Sequence, residues 1–167
     1  LMRAFLLVCS LLLAGCGDQM SNAEQKAKDD ADVAYVAGLQ AKDPPPKPIL
    51  PQAIGYPDIE QYKLFGATCA FAPGDSIGAI VLAMDETAWM KLEDKMVRLA
   101  ADQGGEKLSM GTWRHYDGKE YSLELTIERT AATSPATETV NYPGTLAVRD
   151  AFGQLVYGSK GTLQCGG

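Results

Sequence analysis

Tyr121, Leu123, Leu125 and Ile127 alternate with Ser122, Glu124, Thr126 and Glu128, and this pattern constrains the chain more than any other. A period of two sends successive side chains to opposite faces of a strand, so this strand has one buried face and one wet face. A half-wet strand belongs to an antiparallel sheet, because parallel strands are usually covered on both faces. Just upstream, Trp113-Arg114-His115-Tyr116 leads into Asp117-Gly118 and leaves through Lys119-Glu120-Tyr121. Asp-Gly suits a type I′ turn, whose two central residues need positive φ. The segment therefore predicts a hairpin that turns at Asp117-Gly118.

Strand and turn signals continue on both sides. Ala67 to Phe71 reads as a strand ended by the breaker Pro73-Gly74-Asp75, and Ile77 to Met84 is an apolar run of buried-strand length. Leu146 and Val148, a turn around Phe152-Gly153, and Leu155-Val156-Tyr157 predict a second hairpin, with a last strand at Thr162 to Cys165. Ala131 to Asn141, rich in Ser, Thr, Ala and Pro, reads as a loop. Asp58 to Phe65 fits one helical turn with Ile59, Tyr62 and Phe65 on a face. Asp85 to Gly105 fits two descriptions. Trp89, Leu92, Met96 and Leu99 fall at helical spacing with Gly104 as a cap. The same residues also form two strands around a turn at Glu93-Asp94.

The N-terminal third has a different character. Met2 and Arg3 precede an apolar run from Ala4 to Leu13. A membrane span needs about 20 apolar residues, so this run reads as a secretory signal. Its ending, Leu13-Ala14-Gly15-Cys16, resembles the lipobox of bacterial lipoproteins. That resemblance implies removal of residues 1–15 and a lipid on Cys16, which anchors the chain to a membrane. Each buried methylene contributes about 0.8 kcal/mol, so several acyl chains hold permanently. Gly17 follows the cysteine and Asp18 comes one later, which by resemblance favours the outer membrane, facing the periplasm. Residues 16–55 form the tether. Gly17 to Asp43 is polar, with Val33, Val36 and Leu39 at helical spacing, and predicts a helix near 22–41. Pro44-Pro45-Pro46-Lys47-Pro48-Ile49-Leu50-Pro51 predicts a polyproline spacer of about 3 Å per residue. The globular domain is expected over 56–167.

Export fixes the cysteine count. Cys9 leaves with the signal and Cys16 is acylated, so Cys69 and Cys165 remain in an oxidising compartment and are expected to pair. Two cysteines and the lone His115 are too few for a closed tetrahedral zinc, so neither metal nor cofactor is expected. The formal charge of −6 argues against nucleic acid and favours basic partners.

Catalytic motifs are not evident. His115 has Asp117 two residues on, but no G-x-S-x-G nucleophile elbow occurs. Glu124 and Glu128 lie on the wet face of a strand, and Gly104-Gly105 and Gly166-Gly167 lack the setting of a phosphate loop. The layout is similar to the membrane-bound inhibitors of c-type lysozyme. The likeness rests on the lipobox, on the places of Cys69 and Cys165, and on Ser109-Met110-Gly111-Thr112-Trp113, which resembles a serine- and glycine-containing loop. It implies a small antiparallel barrel, which favours strands over 86–101, and a partner-binding pair, Ser109 and Lys119, entering the lysozyme cleft. Met110 interrupts the Ser-Gly pair, and the tail beyond Tyr142 has no counterpart. The expected fold is mainly β, a small antiparallel barrel or sandwich behind a helical and proline-rich tether; the alternative is α+β with a helix at 86–101. The expected role is a non-catalytic binding or structural module of the cell envelope, with lysozyme inhibition or a hydrolase using His115 as alternatives.

Overall fold

A computed structural model describes residues 21–39, 43–136 and 138–167, so the signal and lipobox lie outside the described residues. The chain divides into two units, Leu1–Asp43 and Pro44–Gly167. In the first, α1 spans Asn22–Leu39 and matches the predicted helix. Ser21 caps it reciprocally: the Glu24 carboxylate accepts from the Ser21 amide at 2.8 Å, and Ser21 Oγ accepts from the Glu24 amide at 3.3 Å.

The second unit is a closed antiparallel barrel of eight strands. They are β1 (Thr68–Pro73), β2 (Val81–Ala83), β3 (Thr87–Leu92), β4 (Lys95–Ala101), β5 (His115–Asp117), β6 (Tyr121–Ile127), β8 (Thr139–Asp150) and β9 (Leu155–Gly166). A short β7 (Thr133–Ala136) pairs with the start of β8 as an arm. Each strand of the ring pairs with the next, β6 pairs with β8, and β9 returns to β1. Successive strands run in opposite directions, so the β1–β2, β3–β4, β5–β6 and β8–β9 connections share one end, the mouth. The β2–β3, β4–β5 and β6–β8 connections share the base.

The expected alternation builds the interior. Leu123 and Leu125 of β6 face inward with Phe71, Met90, Leu99, Tyr116, Leu146, Val148 and Leu163, all fully buried. Side chains fill the barrel. Tyr116 places a hydroxyl in that apolar space and satisfies it twice, donating to the Met84 carbonyl at 2.8 Å and accepting from the Trp113 amide at 2.9 Å. Burial pushes its phenol up to about 12. Cys69 and Cys165 stand directly opposite in the β1–β9 register and are bonded, 96 residues apart in sequence.

Asp85 to Gly105 forms the β3–β4 hairpin and not a helix. Glu93 and Asp94 carry the turn with φ of 48° and 61°, a left-handed pair that fits type I′ geometry. The helical spacing was coincidental, since Trp89 and Met96 face outward while Met90 and Leu99 face the core. The outward set packs under α2 (Tyr56–Tyr62), where Tyr62 and Trp89 ring centroids stand 5.3 Å apart. Here the strands' second face is covered as well. Lys91 pairs with Asp58 at 3.0 Å beneath this helix, and both side chains are largely shielded.

Several turn expectations are corrected. The hairpin after β5 does not turn at Asp117-Gly118: Asp117 pairs with Ser122, the Gly118 amide donates to the Tyr121 carbonyl at 2.8 Å, and Lys119-Glu120 are central. Neither Asp117 nor Gly118 has positive φ. Gly118 serves close approach instead, because a Cβ there would sit 3.0 Å from the Tyr121 carbonyl and 3.4 Å from that of Arg98. Ala131 to Asn141 is not a loop but holds β7 and the start of β8; Pro135 is tolerated because β7 is an edge strand. Thr162 to Cys165 is the end of the long β9 and not a separate strand, and only Val81–Ala83 of the Ile77–Met84 run pairs in the sheet.

Two predictions follow from this architecture. Removing the disulfide by the double change Cys69→Ala and Cys165→Ala is expected to cost about 2–5 kcal/mol in denaturant unfolding; unaltered stability would show that the seam closes without it. Asp58 is held below the usual carboxylate range, chiefly by the Gly55 amide and then by Lys91. A depressed carboxylate stabilises above its unfolded pKa and is lost as pH falls through the folded value. Asp58→Asn should therefore lower the melting temperature at neutral pH and much less near pH 2.

Candidate binding groove at the barrel mouth

The residues singled out in the sequence do not assemble into one site. Ser109 lies in the β4–β5 connection at the base, half-buried; its carbonyl accepts from Thr112 Oγ1 at 2.6 Å and its hydroxyl from Tyr142 at 3.3 Å. Lys119 lies in the β5–β6 turn at the mouth. One connection enters β5 and the other leaves it, so Ser109 and Lys119 stand at opposite ends of that strand, and no single loop cluster contains both. His115 is partly exposed on β5, with Nε2 at 3.0 Å from Asp117 Oδ1 and Glu124 as its cross-strand neighbour. Glu124 is itself engaged by Arg114, whose Nε donates to it at 2.9 Å. Among the described residues, no hydroxyl or thiol is hydrogen-bonded to His115. Cys16 lies outside the described residues.

The mouth carries a feature that the sequence reading assigned to a spacer. Pro44 to Pro51 is extended because its prolines fix φ, and proline's missing N–H leaves it few donors for a sheet ladder. It touches the barrel where an N–H or a glutamine supplies a bond. The Ile49 amide donates to the Val156 carbonyl at 3.1 Å and the Gln52 amide to that of Lys91 at 2.8 Å. Gln154 Nε2 donates to the Pro44 carbonyl at 3.0 Å. The Gln52 side chain closes a two-way bond with Asp94, accepting from its amide at 2.7 Å and donating to Oδ1 at 3.3 Å. Val156 belongs to β9 and Lys91 to β3, which are not neighbours in the ring, so the segment is a strap tying two distant parts of the mouth. Ile49 packs against the barrel core. The folded unit thus begins at Pro44 and not at residue 56.

Between the strap, the β3–β4 hairpin and the β5–β6 turn lies a groove of about 800 Å³. Ile49, Leu92, Val97 and Tyr121 give it apolar walls, while Lys47, Lys95, Glu93 and Glu120 add charges of both signs. None of those four charges has an ion-pair partner within 4.0 Å among the described residues, unlike Lys91 and Arg114. The Tyr121 phenol is raised, first by burial and then by Glu120, Glu93 and Asp150. The polar groups of the lining are the Tyr121 phenol, the Gln52 amide and the four charged side chains, set among apolar walls. The signal in the sequence is slight: Ile49 alone packs against the core, Leu50 beside it is exposed, and Gln52 ends the segment. No known protein family, curated protein or solved structure matches this chain.

Gln52→Ala removes both side-chain bonds that hold the strap to the Glu93-Asp94 turn. It is expected to cost about 1–2 kcal/mol and to speed amide exchange at Ile49 and Asp94. Unchanged exchange at both amides would mean that the strap is held by its other bonds and packing, without the Gln52 side chain.

Proposed function

We propose that this chain is a lipid-anchored, non-catalytic binding module of the bacterial cell envelope that engages its partner at the barrel mouth. The observation that carries the binding reading is the pinned strap, which makes a preformed concavity beside a barrel whose interior is already filled. Small-ligand and peptide sites often lie at barrel mouths with apolar walls and a few placed polar groups. The envelope reading is supported by the signal and by Leu13-Ala14-Gly15-Cys16, and a buried Cys69–Cys165 bond suits an oxidising compartment. Lysozyme inhibition through Ser109 and Lys119 loses its shared surface, and a hydrolase through His115 has no bonded nucleophile among the described residues. Cys16→Ala expressed with its signal is expected to move the protein from the membrane fraction to the soluble periplasmic fraction. A mutant that still sediments with membranes would overturn lipid anchoring.

A further inference from the structure

We infer that the mouth groove takes a short extended peptide bearing both an ammonium and a carboxylate group. The inference rests on the binding reading above and deepens it by naming the ligand class. Three observations on the groove carry it. Its strap wall is rich in acceptors: the carbonyls of residues 47–51 receive no hydrogen bond from the described residues, while the amides of Ile49 and Gln52 are spent on the barrel. A wall of open carbonyls wants N–H donors, which a peptide backbone supplies along its length. Its charges come in both signs and are uncommitted, with Glu93 and Glu120 suited to an ammonium and Lys47 and Lys95 to a carboxylate. Ile49, Leu92, Val97 and Tyr121 then leave room for small apolar side chains between the charged ends.

The length is set by the strap. Lys47 to Gln52 in polyproline geometry spans about 15 Å at about 3.1 Å per residue, which matches four or five residues of extended peptide. Fatty acids and uncharged sugars suit this lining less well, since neither answers both signs of charge. A basic protein would meet Lys47 and Lys95 as like charges.

The test uses the full chain carrying Cys16→Ala, so that it is handled without lipid. The probe is the synthetic pentapeptide Ala-Glu-Ala-Lys-Ala with free termini, titrated by calorimetry and by amide chemical shifts. Its control is the same peptide with Gln in place of both charged residues and with blocked ends. Binding of the charged peptide is expected, with shifts concentrated at Ile49, Leu92, Val97 and Tyr121. Lys95→Glu and Glu93→Lys should each weaken it about three- to tenfold, and 0.5 M salt should weaken it as well. Both positions are exposed, and an unchanged melting temperature confirms that the variants fold. Equal binding of charged and blocked peptides, or shifts away from the mouth, would overturn the inference. So would absence of binding at millimolar peptide. Each of these failures leaves the Cys16 fractionation result untouched, so it is distinguishable from a failure of the envelope reading.

Discussion

The seam between β1 and β9 is the constraint on which the rest of the barrel depends. Every other pairing in the ring joins strands close in sequence, whereas this one joins residues nearly a hundred apart. Loop-closure entropy opposes such a contact, and a covalent bond across the seam removes much of that opposition from the unfolded ensemble. With the seam closed the sheet has no free edge within the ring, and eight strands enclose an interior just wide enough for side chains to fill. Phe71, Met90, Tyr116 and Leu163 fill it. The filled interior leaves the loops and the strap at the ends to shape the concave surface.

Curvature sets a second requirement, and two glycines meet it together. Gly144 of β8 and Gly161 of β9 face each other in register, and a Cβ on either would collide with backbone: the Thr126 carbonyl in one case, the Ala72 carbonyl in the other. The same point on the wall thus needs two residues without side chains, because four strands approach there (β6, β8, β9 and β1). Glycine in a strand interior ordinarily weakens it, and here it permits the bend that closes the ring.

How much of this was legible depended on whether one residue pair or many fixed the outcome. The alternation over 121–128 was readable because side-chain parity acts locally. The strands around Glu93-Asp94 were reached only through the resemblance, since the local spacing fitted a helix as well. The Cys69–Cys165 bond was readable by elimination. The Asp117-Gly118 turn was misread because glycine answers to two demands, positive φ and close approach, and only the neighbouring β4 backbone says which applies. The Ala131–Asn141 segment looked like a loop because β7 is an edge strand whose polar, proline-containing sequence has no hydrophobic period. The strap was misread for a related reason. Proline-rich sequence specifies an extended backbone but not whether that backbone is solvated, and its anchors, Val156, Lys91 and Asp94, lie far away in sequence.

The strap's composition explains why it can be both fixed and open. A strand in its place would spend alternate donors and acceptors on its neighbour and leave nothing for a ligand. Prolines remove the donors, so the segment donates to the barrel only through Ile49 and Gln52, accepts from Gln154 at Pro44, and keeps the carbonyls of residues 47–51 unpaired among the described residues. They also fix φ, so little conformational entropy is lost when those two amides dock, and little more when something binds against them. Gln52 adds the rigid end, locking the strap to a turn whose two left-handed residues already hold Glu93 at the groove. A segment with one unpaired charge of its own, three more on the facing hairpins and a row of free acceptors is costly to bury and inexpensive to leave beside water. Its arrangement along a groove therefore follows from what the prolines permit, and leaves open polar groups on the strap while the barrel interior is filled.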